Sequence, residues 1–166
     1  METVANSDPT FWITAAGIFM LLLLSGFFSG SETALTAASR GKLRSMADRG
    51  SGGAATALDL KEDSERVIGG ILLGNNLVNI LATSLATALF TNLFGDSGVA
   101  MATLVMTLLV LIFAEVLPKT YSINDPEKAA VRSAPIIGPV ITALSPIVSI
   151  IRVIVRFVLR LFGMKI

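Results

Sequence analysis

The 166-residue sequence contains no cysteine and no histidine, and each absence removes a class of chemistry. Without cysteine there is no disulfide, thiol nucleophile or iron–sulfur cluster, and without histidine there is no imidazole base. The usual ligands of zinc are missing for the same reason. A metal ion bound by this chain must therefore be held by oxygen atoms.

Aromatic residues and charge are also scarce. The chain has one Trp and one Tyr, yet 53% of its residues are apolar and its mean hydropathy is +0.76. This composition is too apolar for an ordinary soluble domain and predicts an all-α membrane protein. The net charge of +1 offers no concentrated basic surface, so we expect no nucleic-acid partner.

Three long segments contain almost no charged residue. We expect membrane spans at about 9–39, 67–94 and 98–118, of which the first carries only Glu32 and the third only Glu115. At about 1.5 Å per residue, each span is long enough to cross a hydrocarbon core of about 30 Å. The lipid bilayer is therefore the first partner that the sequence predicts.

The positions of the cations predict the orientation of the spans. Of the 13 Lys and Arg residues, six lie in the segment 40–66 and the other seven follow the third span. By the positive-inside tendency, the N-terminus lies outside, and the loop 40–66 and the C-terminus are cytoplasmic. We therefore expect a multi-pass protein of the cell membrane whose loop forms two short helical pieces.

The segment 126–163 predicts a juxtamembrane helix. Its apolar run is short, contains two prolines and lies between Arg132 and Arg152, so a crossing would place one arginine outside. We expect a bent interfacial or re-entrant segment that continues into an amphipathic helix along the inner membrane surface. Residues 1–166 are thus expected to form a single transmembrane domain.

Several polar side chains fall inside the predicted spans, where each requires a partner, a cavity or an ion. They follow helical spacing on the first two spans, as Ser25, Ser29, Glu32 and Thr36, and as Asn75, Asn79, Thr83 and Thr87. Serine hydroxyls can bond their own helix and amides can join two helices, so for Asn75 and Asn79 ion contact and interhelical bonding both stay open. A ridge of small residues on the first span predicts close approach of another helix; it comprises Gly26, Gly30, Ala34 and Ala38.

The third span contains a proline next to an acidic residue. Pro118 cannot donate a backbone hydrogen bond and crowds the carbonyl of Ala114, four residues earlier. A freed carbonyl beside Glu115 resembles the ion sites that broken helices form in transporters. The alternative is an ion pair between Glu115 and Lys119, one turn apart at the membrane edge.

Together these groups predict a cation site made of oxygen ligands. Two carboxylates favour a divalent ion, and this chemistry does not separate Mg²⁺ from Ca²⁺. The predicted ligands are Ser25, Ser29, Glu32, Asn75, Asn79, Ala114 and Glu115.

Three motifs resemble the transmembrane domain of the CorC and cyclin M (CNNM) family of magnesium transporters. They are the segments 27–35, 72–79 and 115–119, which read FFSGSETAL, LLGNNLVN and EVLPK. The resemblance implies a homodimer that exports Mg²⁺ in exchange for Na⁺, with three spans and a juxtamembrane helix in each protomer. It also implies ion-binding roles for Ser25, Ser29, Asn75, Asn79 and Glu115. Family members normally continue into a cytosolic CBS domain, which these residues do not include.

Two functional hypotheses follow. The first is Mg²⁺ transport through a dehydrated site between helices, with Na⁺ as the coupled ion. The second is a dimeric membrane anchor that does not transport and only positions a cytosolic regulatory domain. We do not expect an enzyme, because the usual activated nucleophiles are missing and no Asp lies in the predicted spans.

Overall fold

A computed structural model describes residues 9–164, and within them the regular structure is entirely helical. This confirms the predicted all-α class. A short 3₁₀ turn (Gly95–Ser97) and a π-helical segment (Val110–Val116) interrupt the α-helices. The helices are α1 (Pro9–Ala37), α2 (Arg40–Asp48), α3 (Gly52–Glu62), α4 (Ser64–Phe94), α5 (Gly98–Leu109), α6 (Leu117–Asn124) and α7 (Pro126–Leu161).

The three predicted spans form a bundle of α1, α4 and the hairpin arm that runs from α5 to α6. By length and composition, the stretches 9–37, 64–124 and 126–161 are apolar enough to cross a membrane. The second stretch contains the Gly95–Ser97 turn and therefore makes two antiparallel passes. We call the end of the bundle that carries α2 and α3 the loop end, and the end at Gly95–Ser97 the turn end.

Capping residues in the sequence explain where the loop-end helices begin. The Ser39 hydroxyl accepts from the Lys42 backbone N–H, and the Ser51 hydroxyl accepts from that of Ala54. Such N-caps satisfy donors that have no partner inside the helix. The expected loop 40–66 is therefore built of α2 and α3, in agreement with the two helical pieces predicted for it.

The helix α7 lies across the loop end. It is continuous from Pro126 to Leu161 despite three internal prolines. Along its length the Val131 carbonyl faces Gly53 of α3, and Val148 packs against Gly69 near the start of α4. These contacts fit the predicted juxtamembrane helix, because they all involve the loop end of the bundle.

Helical structure continues through Pro118, and the third span therefore reaches Asn124 instead of the expected 118. The preceding turns are π-helical, and the Leu117 N–H donates to the carbonyl of Ile112, five residues earlier. A π turn shifts the hydrogen-bond register by one residue. This shift accommodates the proline without ending the helix.

Glycine at position 98 allows the start of α5 to approach the backbone of α4 closely. A Cβ atom there would lie 2.5 Å from the Phe90 carbonyl oxygen and from backbone atoms of Thr91. Gly98→Ala should therefore cost about 1–3 kcal/mol, the usual range for overpacking. Thermal unfolding in detergent measures this, with Gly17→Ala as the control because nothing lies within 4 Å of a Cβ at Gly17. Equal melting temperatures for the two variants would contradict the expected clash.

Candidate metal site

The central polar contact of the bundle joins α1 to α4. The Ser25 hydroxyl donates to the Asn75 side-chain oxygen at a distance of 2.5 Å, and both side chains are buried. The Asn79 amide nitrogen also approaches the Asn75 oxygen, at 3.5 Å. The structure therefore brings together three of the predicted ligands, Ser25, Asn75 and Asn79.

The antiparallel packing of α1 and α4 determines where the other predicted ligands lie along the bundle axis. Phe28 packs on Gly74, where a Cβ would lie 2.9 Å from the ring. Because the two helices run in opposite directions, Ser29 lies about one turn toward the loop end from the Ser25–Asn75 bond. By the same geometry, Asn79 lies about one turn toward the turn end.

Two of these buried oxygens lack a hydrogen bond. Within residues 9–164, the Ser29 hydroxyl and the Asn79 side-chain oxygen are buried without a partner. Ser31 differs, because its hydroxyl donates to the Phe27 carbonyl of the same helix at 2.6 Å. The alternative that Ser25 and Ser29 merely bond their own helix is therefore not what the structure shows.

The threonines that follow Asn79 on α4 are engaged with their own helix. The Thr83 hydroxyl donates to the Asn79 backbone carbonyl and the Thr87 hydroxyl to that of Thr83, each at 2.8 Å. These bonds leave the polar ligand candidates of α4 concentrated at Asn75 and Asn79.

The predicted small-residue ridge of α1 packs against the third span. A Cβ at Gly26 would lie 2.8 Å from the Phe113 carbonyl oxygen, and one at Gly30 would lie 3.1 Å from the Ser122 hydroxyl oxygen. Ala114 is completely buried beside this ridge. The glycines thus bring the π-helical backbone against α1 near Ser25, and the third span is the helix whose close approach the ridge predicted.

The π register changes which carbonyl the proline affects. In an α-helix, the carbonyl left without a donor by Pro118 would be that of Ala114, four residues earlier. In the π register it is the carbonyl of Phe113, five residues earlier. The Phe113 oxygen is the one that approaches Gly26. Sequence reasoning missed Phe113 because hydrophobic periodicity carries no signal for a π turn.

Glu115 forms the ion pair that the sequence offered as the alternative to ion binding. Its carboxylate lies 2.9 Å from the Lys119 ammonium nitrogen, and the two side chains are 31% and 44% exposed. The carboxylate is on the π-helical segment, next to Ala114. In this conformation its charge is compensated from within the same helix.

Glu32 lines a separate cavity at the loop end. This cavity of about 260 Å³ lies between α1, α3 and α4, and its polar walls include Thr36, Arg40 and Lys61. The Lys61 ammonium donates to the Leu35 carbonyl at 2.6 Å, and burial, with a smaller effect of Arg40, lowers the pKa of Lys61. Glu32 is thus about two turns from the Ser25–Asn75 bond.

The arrangement can offer neutral oxygens to a cation, with one carboxylate beside them. Among residues 9–164, no group of three acidic side chains is close enough to hold a metal ion. A cation between α1 and α4 would therefore depend on Ser and Asn oxygens and on a shift of the Glu115 carboxylate. All seven site residues remain predictions as ligands, although Glu32 lines the separate cavity at the loop end: Ser25, Ser29, Glu32, Asn75, Asn79, Ala114 and Glu115.

Removal of the Ser25 hydroxyl tests the central contact. Ser25→Ala leaves the buried Asn75 oxygen with only the 3.5 Å approach of Asn79, so we expect a loss of about 1–3 kcal/mol. Ser31→Ala is the matched control, since its bond is local to one helix, and should cost less than about 1 kcal/mol. Thermal unfolding in detergent measures the loss of stability in each variant. Equal losses would show that the interhelical bond contributes no more to stability than the bond within one helix.

The comparisons with known proteins agree with this architecture. The family model "Cyclin M transmembrane N-terminal domain" matches residues 16–166. The chain is 42% identical over 142 residues to the UPF0053 inner membrane protein YfjD of Escherichia coli, covering 86% of the chain and 33% of the relative. It is 35% identical over 148 residues to a UPF0053 protein of Haemophilus influenzae, covering 89% and 35%. The chain thus spans about a third of the length of these relatives, and it belongs to the cyclin M transmembrane domain family.

Proposed function

We propose that this domain transports Mg²⁺ across the cell membrane through an oxygen-ligand site between α1, α4 and the π-helical segment. The observation that carries the proposal is the pair of buried, unpartnered oxygens of Ser29 and Asn79, on either side of the Ser25–Asn75 bond. A buried acceptor without a donor costs about 1–3 kcal/mol, and a transported cation would compensate for that cost.

Burial of these oxygens favours a dehydrated ion. Oxygens that have no surface open to water cannot hold a hydrated cation, but a bare Mg²⁺ needs ligand distances of only about 2.0–2.1 Å. The Asn75 oxygen becomes a ligand when the Ser25 hydroxyl turns its proton away, and the hydroxyl oxygen then faces the ion too. Binding would thus replace the interhelical hydrogen bond with coordination from both helices.

The charge of the ion requires Glu115. A divalent cation among neutral ligands in a low-dielectric site needs a nearby carboxylate. The Lys119 side chain is 44% exposed and flexible, so it can leave Glu115 when the ion arrives. We infer that Lys119 and Mg²⁺ alternate at the carboxylate, and that the π-helical segment is the element that moves.

The remaining parts of the proposal come from the family resemblance and from the surface of α4. Na⁺-coupled export and the outside position of the N-terminus follow from the resemblance and from the cation distribution. A surface groove on α4 is lined by residues that include Asn79, Thr83 and Thr87. Polar surface in lipid is unfavourable, so we propose that a second copy of the chain covers it in a homodimer.

The second candidate function is a dimeric anchor that does not transport. The Glu115–Lys119 ion pair favours it, because a permanently paired carboxylate would serve only to hold the end of the third span. The chain covers only about a third of its relatives, and the family resemblance implies that a cytosolic CBS domain follows the membrane domain. An anchor for that domain would need the helices but no ion site.

Replacement of Glu115 separates the two functions. Glu115→Gln keeps the shape of the side chain but removes its charge, so we expect it to abolish Mg²⁺ flux in proteoliposomes while folding and dimerisation persist. Glu62→Gln is the matched control, because Glu62 is an exposed residue at the end of α3 and should not affect flux. Unchanged flux in Glu115→Gln would remove Glu115 from the mechanism and favour the anchor.

Replacement of Ser29 tests the oxygen that has no partner. In the absence of divalent ions, Ser29→Ala should melt at or above the wild-type temperature, because it removes an unsatisfied buried group. Added Mg²⁺ should raise the melting temperature of the wild type and of Ser31→Ala, and should do so less in Ser29→Ala. An identical Mg²⁺ response in all three proteins would exclude the Ser29 oxygen as a ligand.

A further inference from the structure

A large apolar groove lies between α4 and the C-terminal half of α7. Its volume is about 760 Å³, within the range of about 300–1,000 Å³ that is typical of small-molecule sites. The α4 wall presents Ile68, Leu72 and Leu73, and the α7 wall presents Val155 and Leu159. The groove takes no part in the ion site proposed above.

Two arginines line the same groove, one turn apart on α7. Arg152 and Arg156 both border it, beside Glu65 at the start of α4. Arg152 lies 3.7 Å from the Glu65 carboxylate through its Nε atom, whereas its Nη2 atom is buried without a hydrogen bond in the described part of the chain. The Glu65 side chain is 78% exposed, so this ion pair is weak.

The groove therefore combines a net positive charge, from two arginines and one glutamate, with a long apolar wall. The apolar wall on α4 runs from the charged loop end toward the middle of the span, which is the direction that an acyl chain takes from its head group. Arg156 is exposed, so an anion in the groove can reach its guanidinium group, and about a third of the Arg152 side chain is exposed one turn away. Arginine pairs phosphate oxygens through parallel N–H donors.

We propose that this groove binds one phospholipid with an anionic head group. The phosphate contacts Arg152 and Arg156, and an acyl chain lies along Ile68, Leu72 and Leu73. Charge complementarity selects an anionic lipid over a zwitterionic one, because the single acidic residue in the lining, Glu65, already faces Arg152. The lipid would hold α7 to α4 at the loop end.

Native mass spectrometry of the detergent-purified protein tests the site, with phosphatidylglycerol as the probe and phosphatidylcholine as the reference. We expect a retained phosphatidylglycerol adduct, and about tenfold weaker binding in Arg156→Gln, as loss of a charged hydrogen bond implies. Arg160→Gln is the matched control: it removes the same charge from the same helix, but Arg160 is not part of the groove lining. It should change the binding less than twofold.

A second variant keeps all the charges and fills the apolar wall. Leu72→Trp should weaken phosphatidylglycerol binding without changing the net charge. In a separate competition experiment on the wild type, inorganic phosphate should fail to displace the bound phosphatidylglycerol. The proposal is overturned if Arg160→Gln weakens binding as much as Arg156→Gln, if phosphatidylcholine binds equally well, or if inorganic phosphate displaces the lipid. It is also overturned if either groove variant converts a dimer to a monomer in the presence of lipid, since a second copy would then occupy the groove.

Discussion

The hydrogen bond between Ser25 and Asn75 is the contact on which the rest of the bundle depends. It joins two helices in a region where lipid offers no hydrogen-bonding partner, so a polar group there must be satisfied by the protein or by an ion. This requirement fixes the register of α1 against α4 more sharply than apolar packing does, because hydrophobic contacts are non-directional. It also places the unpartnered oxygens of Ser29 and Asn79 one turn to either side.

Close approach of the backbones makes this arrangement possible. Gly74 admits the Phe28 ring beside the Ser25–Asn75 bond, and Gly26 admits the Phe113 carbonyl of the π-helical segment on the other side of α1. A methyl group at either position would need the neighbouring atoms to shift. Small residues thus determine how near the third span comes to the polar pair, and with it the position of Glu115.

The sequence predicts the helices and the packing ridge well, because each depends on local chemistry. Charge-free runs locate the spans, and the four-residue spacing of Gly26 and Gly30 predicts a face that another helix approaches closely. The structure adds that Ser39 and Ser51 cap the short helices and that the third span is the helix on the glycine face. These features rely on helical periodicity and hydrogen-bond satisfaction, which act within a few residues.

The site itself is less predictable, because it depends on tertiary contacts. Glu32 shares the helical stripe of Ser25, yet it lines a separate cavity at the loop end together with Lys61 and Arg40. The π register replaces Ala114 with Phe113 as the carbonyl that the proline affects, and only packing against Gly26 reveals it. The spacing of Glu115 and Lys119 in the sequence is compatible both with an ion site at Glu115 and with an ion pair between the two residues. The structure contains the ion pair.

The position of a bound divalent ion tests the central proposal most directly. Anomalous scattering from Mn²⁺, used as a substitute for Mg²⁺ in crystals of this domain, locates the ion without reference to transport. The account predicts a peak between α1, α4 and the π-helical segment, within coordination distance of the oxygens of Ser25, Ser29 or Asn75 and close to Glu115. Peaks confined to the protein surface, with the Ser25–Asn75 bond intact, would contradict it.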